Sequence, residues 1–270
     1  MRRRAFLLAA GLAGTVVAAP DGWAADGMAV DPAAFLARRL EGVLLDNTAT
    51  TAQPVPAATL QTVLTTARTD FRACRYVELA ARLPELITAA EAAHGHAADP
   101  VSASVVAQAY NLASRALIKL EASGLEWVSA DRAVRAAEDA DDPLILAEAQ
   151  RLLGSACRRA GIHDRAQELT LSAAGQLDLA AKTPDPRHLA LYGVLMCSAG
   201  YAAARAGDHD RATDLLTEAE ATAERLADHP AQQRDAGRQR GQPPSVGRLR
   251  ARQRRRRVAP RAGRAAGPVP

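Results

Sequence analysis

Aromatic side chains are nearly missing from this sequence. They make up 3% of its 270 residues, against 48% hydrophobic residues in all. The apolar surface is therefore supplied by Ala, Leu and Val, which suits helices packed closely together better than sheets, whose strands favour aromatic and β-branched residues. An all-α fold is expected. Lysine is almost absent too, confined to Lys119 and Lys182, and the other 32 basic residues are Arg, a mark of G+C-rich coding DNA rather than of a ligand. The three cysteines, Cys74, Cys157 and Cys197, lie far apart and form no C-x-x-C pair. Their odd number and spacing favour small core residues of a reduced protein over a disulfide with one spare thiol. Four local motifs are also missing: G-x-S-x-G, H-E-x-x-H, G-x-x-x-x-G-K-[ST] and G-x-G-x-x-G. Hydrolase, zinc-protease and nucleotide-binding chemistry thus lose their usual anchors. Paired acids such as "AEDADDP" read as a solvated helix end. The expectation is a protein with no catalytic site, no cofactor and no metal.

The formal charge of +4 hides two unlike parts. Residues 231–270 hold twelve Arg and a single acid, Asp235, so the preceding 230 residues carry a net charge of −7. That Arg-, Ala-, Gly- and Pro-rich stretch cannot bury enough apolar surface to fold alone. It reads either as an arm for anionic surfaces or as the product of a slipped reading frame in G+C-rich DNA. In the first case its contact with nucleic acid is sequence-blind at most. The amino terminus, "MRRRAFLLAAGLAGTVVAAPDGWA", joins a basic start to an apolar run too short to span a bilayer comfortably. Arg3-Arg4-Ala5-Phe6-Leu7 resembles the core of a twin-arginine export signal. The other reading is an interdomain linker that only mimics one.

What is present in abundance is repetition. "RAGIHDRA" at 159–166 returns as "RAGDHDRA" at 205–212, and self-similarity at fixed spacing marks a stacked structural unit. Small residues stand in and just before the phrase at corresponding places: Gly154, Gly161 and Ala166 in one copy, Gly200, Gly207 and Ala212 in the next. Gly154 and Ala166 sit where two helices cross closely, and Gly161 can end a helix at positive φ. These positions closely match the tetratricopeptide pattern. Weaker copies at 106–143 and 60–93 bring the count to about four helical hairpins. The stretch 178–189, "DLAAKTPDPRHL", is expected to absorb the excess spacing as a longer second helix and a Pro-rich loop. His163 and His209 read as rings packed at a turn, and His94-Gly95-His96 as a polar interhelical loop. The resulting division is a leader or linker at 1–30, a linker with a short helix at 31–56, a repeat domain at 57–228 and a disordered tail at 229–270.

A stack of helical pairs forms a concave surface from its first helices, and such surfaces bind extended peptides or partner helices. The inner face recurs at about every fourth residue. This selects Asn111, Arg115 and Lys119, then Arg151, Ser155, Arg158 and Arg159, then Cys197, Tyr201 and Arg205. A groove of cations, one amide and two hydroxyls suits a peptide's backbone and its acidic groups.

The segments "DFRACRYVELAARLPELITAA", "WVSADRAVRAAEDADDPLILAEAQRLLGSACRRAGIHDRA" and "LYGVLMCSAGYAAARAGDHDRATDLLTEAEATAERL" resemble the carboxyl-terminal sensor regions of actinobacterial Cro/lambda-repressor-type transcriptional regulators. The resemblance implies repeats that sense a peptide or protein ligand and can form a homodimer, in the cytoplasm. It implies no membrane contact and no direct nucleic-acid binding by the repeats. A helix-turn-helix domain has no room in residues 1–56, so the expectation is a regulator's interaction part without its DNA-binding domain. The alternative is an exported tetratricopeptide scaffold.

Overall fold

The computed structural model describes residues 31–45, 54–121, 124–180 and 184–229. The leader at 1–30, residues 46–53 of the linker and the tail from 230 onward lie outside the described residues. Among the described residues every regular element is an α-helix: α1 (Pro32–Leu45), α2 (Ala57–Arg72), α3 (Tyr76–Ala97), α4 (Pro100–Lys119), α5 (Leu125–Glu138), α6 (Pro143–Arg159), α7 (His163–Gly175), α8 (Pro186–Ala206) and α9 (His209–Ala227). The fold is all-α. The chain divides into two units, Met1–Leu226 and Ala227–Pro270, and the packing described below lies in the first.

Helices α2 to α9 form four sequential pairs. Each helix from α2 to α7 packs on its successor, and the first helices of neighbouring pairs also touch: α2 with α4, α4 with α6, α6 with α8. One local rule builds all four pairs. A small residue, Ala67, Ser114, Gly154 or Gly200, is followed seven positions later by a residue in the left-handed region, namely Cys74 (φ 56°), Glu121 (φ 56°), Gly161 (φ 81°) or Gly207 (φ 88°). In three of the turns the next amide reaches back across the helix end: Arg75 to the Asp70 carbonyl at 2.9 Å, Ile162 to Cys157 at 2.9 Å, and Asp208 to Ala203 at 3.0 Å. This is a Schellman closure, which satisfies carbonyls left open at a helix end.

The small residues set how closely the helices approach. A Cβ on Gly154 would lie 3.1 Å from both the Ala166 carbonyl oxygen and Thr170 Cγ2, and one on Gly200 would lie 3.3 Å from the Ala212 carbonyl oxygen and Leu216 Cγ. Gly154 thus meets Ala166, and Gly200 meets Ala212. In the α4–α5 pair the same position is Ser114, whose buried hydroxyl lies 3.0 Å from Ser129 Oγ and donates to the Tyr110 carbonyl at 2.9 Å.

Starts are as regular as turns. Helices α4, α6 and α8 each begin with Asp followed by Pro, and Asp99, Asp142 and Asp185 accept from the first-turn amides of Ser102, Leu144 and Arg187 at 2.7, 2.9 and 2.7 Å. Pro at the first helical position has no amide to satisfy and a preset φ. Asp141-Asp142-Pro143, read from the sequence as a helix stop, is therefore also the start of α6.

Three further points differ from the sequence reading. The short helix in the linker is no spacer, because α1 buries Leu36, Leu40 and Leu44 completely or nearly so and packs on α3 and α5. His94-Gly95-His96 is not a loop but the end of α3, which continues to Ala97 because the left-handed residue is Ala98 (φ 48°). Helix α7 is not lengthened into 178–189. It ends at Gly175, and the extra length goes to the connection and to α8.

Pro84 lies inside α3 and has no N–H for the carbonyl of Ala80. That carbonyl accepts instead from Arg39 Nε of α1 at 3.5 Å, so the gap in one helix becomes a docking point for another.

The core divides at α6. Ala149 on one side joins a Leu-rich cluster with α1 to α5, whereas Ala147 joins an Ala-rich cluster with α7, α8 and α9. Of the described helices only α8 is long and apolar enough to cross a membrane. Its Leu189, Leu195, Met196, Ala199, Ala202 and Ala203 are buried within the protein.

Candidate ligand-binding face

Helices α4, α6 and α8 supply the residues expected to line the groove. Their ordering starts from Glu148, a carboxylate on α6 whose side chain is 13% exposed. It accepts from Arg151 of its own helix at 2.8 and 2.7 Å, and from Arg115 of α4 through Nε at 2.8 Å and through Nη2. Burial alone would raise the pKa of Glu148. The hydrogen bonds and charges of Arg151 and Arg115 outweigh it and hold the carboxyl below the usual glutamate range. Two cations from neighbouring pairs are thereby fixed on one anion, a bidentate arrangement suited to Arg. Glu148 was not read from the sequence. It lies one helical turn before Arg151, and that i, i+3 relation was the only signal for it.

Further along, the Arg158 guanidinium stacks 4.2 Å from the centroid of the Tyr201 ring, joining α6 to α8. Tyr201 remains 52% exposed, so one face of the pair is open. Burial first, and then the charges of Arg159 and Arg205, push the Arg158 pKa down, while Tyr201 acts in the other direction.

These side chains edge a cleft of about 530 Å³ between α6, α8 and α9. Arg151, Ser155, Arg158 and Tyr201 form its polar side, Leu189, Val194 and Leu226 its apolar side, and Cys197 also lines it. The size falls within the range of small-molecule and anchor-residue pockets, which are mainly apolar with a few placed polar groups. The Ser155 hydroxyl donates back to the Arg151 carbonyl at 3.0 Å. The α9 wall was invisible to the sequence reading, which took contact residues from first helices alone.

The remaining expected residues lie outside the cleft. Asn111 is buried, 6% exposed, and its amide donates to the Ile145 carbonyl at 3.5 Å; it ties α4 to α6 and does not line the open groove. Arg159 turns toward α5 and pairs with Glu126 at 3.6 Å. Lys119 sits 5.7 Å from the Phe71 ring centroid on α2. Arg205 is exposed, beside Arg158 in charge if not in contact. Gly161 and Gly207 take their left-handed turns at the end of this face. His163 and His209 each open a second helix. All three cysteines are free thiols, with Cys157 buried and Cys74 and Cys197 exposed.

A second polar network lies deeper and serves packing. Tyr110 donates to Glu91 and accepts from Arg132 at 3.0 Å, and Arg132 also reaches the Val43 carbonyl at 3.4 Å. It links α3, α4, α5 and α1. Burial, followed by the bond to Glu91, pushes the Tyr110 hydroxyl's pKa well up, so it stays a donor. Among the described residues no cluster of His, Cys, Asp and Glu converges to hold a metal ion. Comparison with known proteins finds no matching family model, no matching curated protein and no matching solved structure.

Proposed function

We propose that the chain is a non-enzymatic, tetratricopeptide-like α-solenoid that binds a peptide or protein segment on the face of its first helices. By the resemblance of its repeats it is the sensor part of a Cro/lambda-repressor-type regulator. One observation carries the binding role: Arg151, Ser155, Arg158 and Tyr201 from two successive pairs edge one open cleft. Binding there bridges α6, α8 and α9, so a ligand shifts the packing between pairs by its differential contacts.

Panning a random peptide library against the full chain tests this. Peptides are expected to be retained and then lost from an Arg158→Glu/Tyr201→Ala double variant of unchanged helical content. No enrichment, or enrichment that the double variant retains in full, overturns the binding reading.

A second reading, an exported scaffold, rests on Arg3-Arg4-Ala5-Phe6-Leu7. Cleavage near Ala19 or Ala24, with the product recovered outside the cytoplasm of the native host, decides for it. Full-length protein in the cytoplasm decides against it.

A further inference from the structure

The four helical pairs sort their charges by layer. Helices α2, α4, α6 and α8 carry nine Arg and Lys against two acids, whereas α3, α5, α7 and α9 carry six Arg against thirteen acids. The eight paired helices are thus neutral in sum but divided into a first-helix layer of net +7 and a second-helix layer of net −7, the negative charge of the body lying outside them. Both acids of the first layer are already engaged, Asp70 buried and Glu148 partly so. Asp70 takes Arg75 at 2.6 Å and Arg82 at 3.0 Å, and Glu148 takes Arg115 and Arg151. The exposed charge of that layer is therefore cationic.

Its cations are also crowded. One Glu148 faces two guanidiniums, and Arg68 nearby has its pKa lowered by burial and then by Arg115 and Arg72. At the other end Arg158 is opposed by Arg159 and Arg205. An arriving anion relieves that repulsion, and a face of one sign also steers such a partner toward it.

A second observation is independent of charge. Val194 (46% exposed) and Tyr201 (52% exposed) stand two turns apart on α8, on the same cleft whose other wall is Leu226 of α9. An apolar seat thus lies at one end of a cationic strip.

We infer that the first-helix face takes an acidic segment of a partner protein, its carboxylates on Arg115, Arg151, Arg158 and Arg205, with one large apolar side chain seated between α6, α8 and α9. The inference rests on the peptide-binding reading and adds to it the sign of the ligand and the place of its anchor.

Fluorescence anisotropy of the full chain tests it with three labelled peptides: a Glu/Asp-rich peptide with one central Phe, the same peptide with Ser for Phe, and its Lys-for-acid counterpart. The first is expected to bind, to weaken steeply with added salt, and to exceed the Ser peptide by roughly tenfold, as burial of one aromatic side chain implies. The Lys peptide is expected not to bind. Arg158→Glu weakens the Phe peptide by roughly tenfold or more, whereas Arg135→Glu, the same charge change on the second-helix layer, leaves it within about twofold. Equal binding of the Ser peptide or of a single-stranded oligonucleotide, insensitive to an Arg158→Glu change, shows a generic polyanion surface and overturns the anchored acidic segment. Library peptides that are neutral or basic yet lost from the Arg158→Glu/Tyr201→Ala variant overturn this inference and leave the peptide-binding reading standing. If neither library nor designed peptides bind, both fall.

Discussion

Residue by residue, the turns between paired helices show the same geometry built with different side chains. Gly161 and Gly207 enter the left-handed region without a Cβ penalty, whereas Cys74 and Glu121 occupy it at φ 56° with one. The penalty for a side chain there is about 1 kcal/mol. Cys74 is exposed, so changing it disturbs little packing. Cys74→Gly is therefore expected to stabilise the protein by about 1 kcal/mol, and Gly161→Ala and Gly207→Ala to destabilise it by a similar amount. Cys74→Ala, which removes the thiol but keeps the strained backbone, should leave stability near that of the parent. Gly154→Ala works by a different route, through the 3.1 Å approach of the new Cβ to the Ala166 oxygen, and should cost about 1–3 kcal/mol. Denaturant midpoints followed by circular dichroism measure all five, and an unchanged Gly154→Ala midpoint would show that the α6–α7 crossing yields without strain. The glycine turns were legible in the sequence because Gly is the default residue for such a backbone. Cys74 and Glu121 were not, since no side-chain chemistry announces a left-handed residue that the surrounding helices impose.

At the scale of elements, the contacts between helices are fixed by a few polar staples placed among small apolar residues. Glu148 is the clearest, because it joins α4 to α6 through Arg115 while holding Arg151. Its carboxyl is more acidic folded than the ordinary glutamate value of 4.5. A depressed folded value means that the stabilisation is complete above the unfolded value and is lost as pH falls through the folded one. The wild type is expected to exceed Glu148→Gln in stability at neutral pH, with the gap closing as pH drops below about 4.5. Urea midpoints of the two proteins across that range measure it, and a gap independent of pH would mean that the Arg contacts do not require the charged carboxylate. The Asp-Pro starts were not read as starts from the sequence, and that of α6 was taken for a stop. Most helices could still be read in advance because Ala-rich periodicity and the repeated glycine turn are local signals. The role of α1 could not. Its Leu36, Leu40 and Leu44 form an apolar stripe, but the partner that makes it part of the core, around Pro84 and the Ala80 carbonyl that accepts from Arg39, lies far along the chain. The candidate cleft was half legible for the same reason: α6 and α8 carry repeated residues at helical spacing, whereas its α9 wall has no such marker.

In the molecule as a whole, unequal burial implies unequal stability along the chain. The core splits at α6 into two larger clusters of different composition, with a third, small one of Cys157, Ala166 and Ala202 against which Trp127 of α5 and Leu169 pack. The first contains Leu60, Leu64, Leu79, Leu83, Leu86, Ile87 and Tyr110. The second is mostly alanine, with Leu177, Leu195, Met196 and Leu215 as its larger members. Apolar stabilisation follows the area removed from water, so an alanine core contributes less for each helix it holds. Helix α4 buries thirteen of its twenty residues, whereas α9 buries four of nineteen. Helices that contact chiefly their neighbours can open from one end without unfolding the rest. Native-state hydrogen exchange is therefore expected to show the α4 amides opening only with global unfolding, while α7, α8 and α9 open earlier as a separate unit bounded at α6. Under rising urea the two sets should converge only near the global transition. If α9 proved as protected as α4, or if all the described helices exchanged in one step, the two clusters would have to act as a single cooperative core. A cleft built between α6, α8 and α9 lies at the edge of the weaker cluster, so the same experiment repeated with a saturating bound peptide should slow exchange in α8 and α9 and leave α4 unchanged.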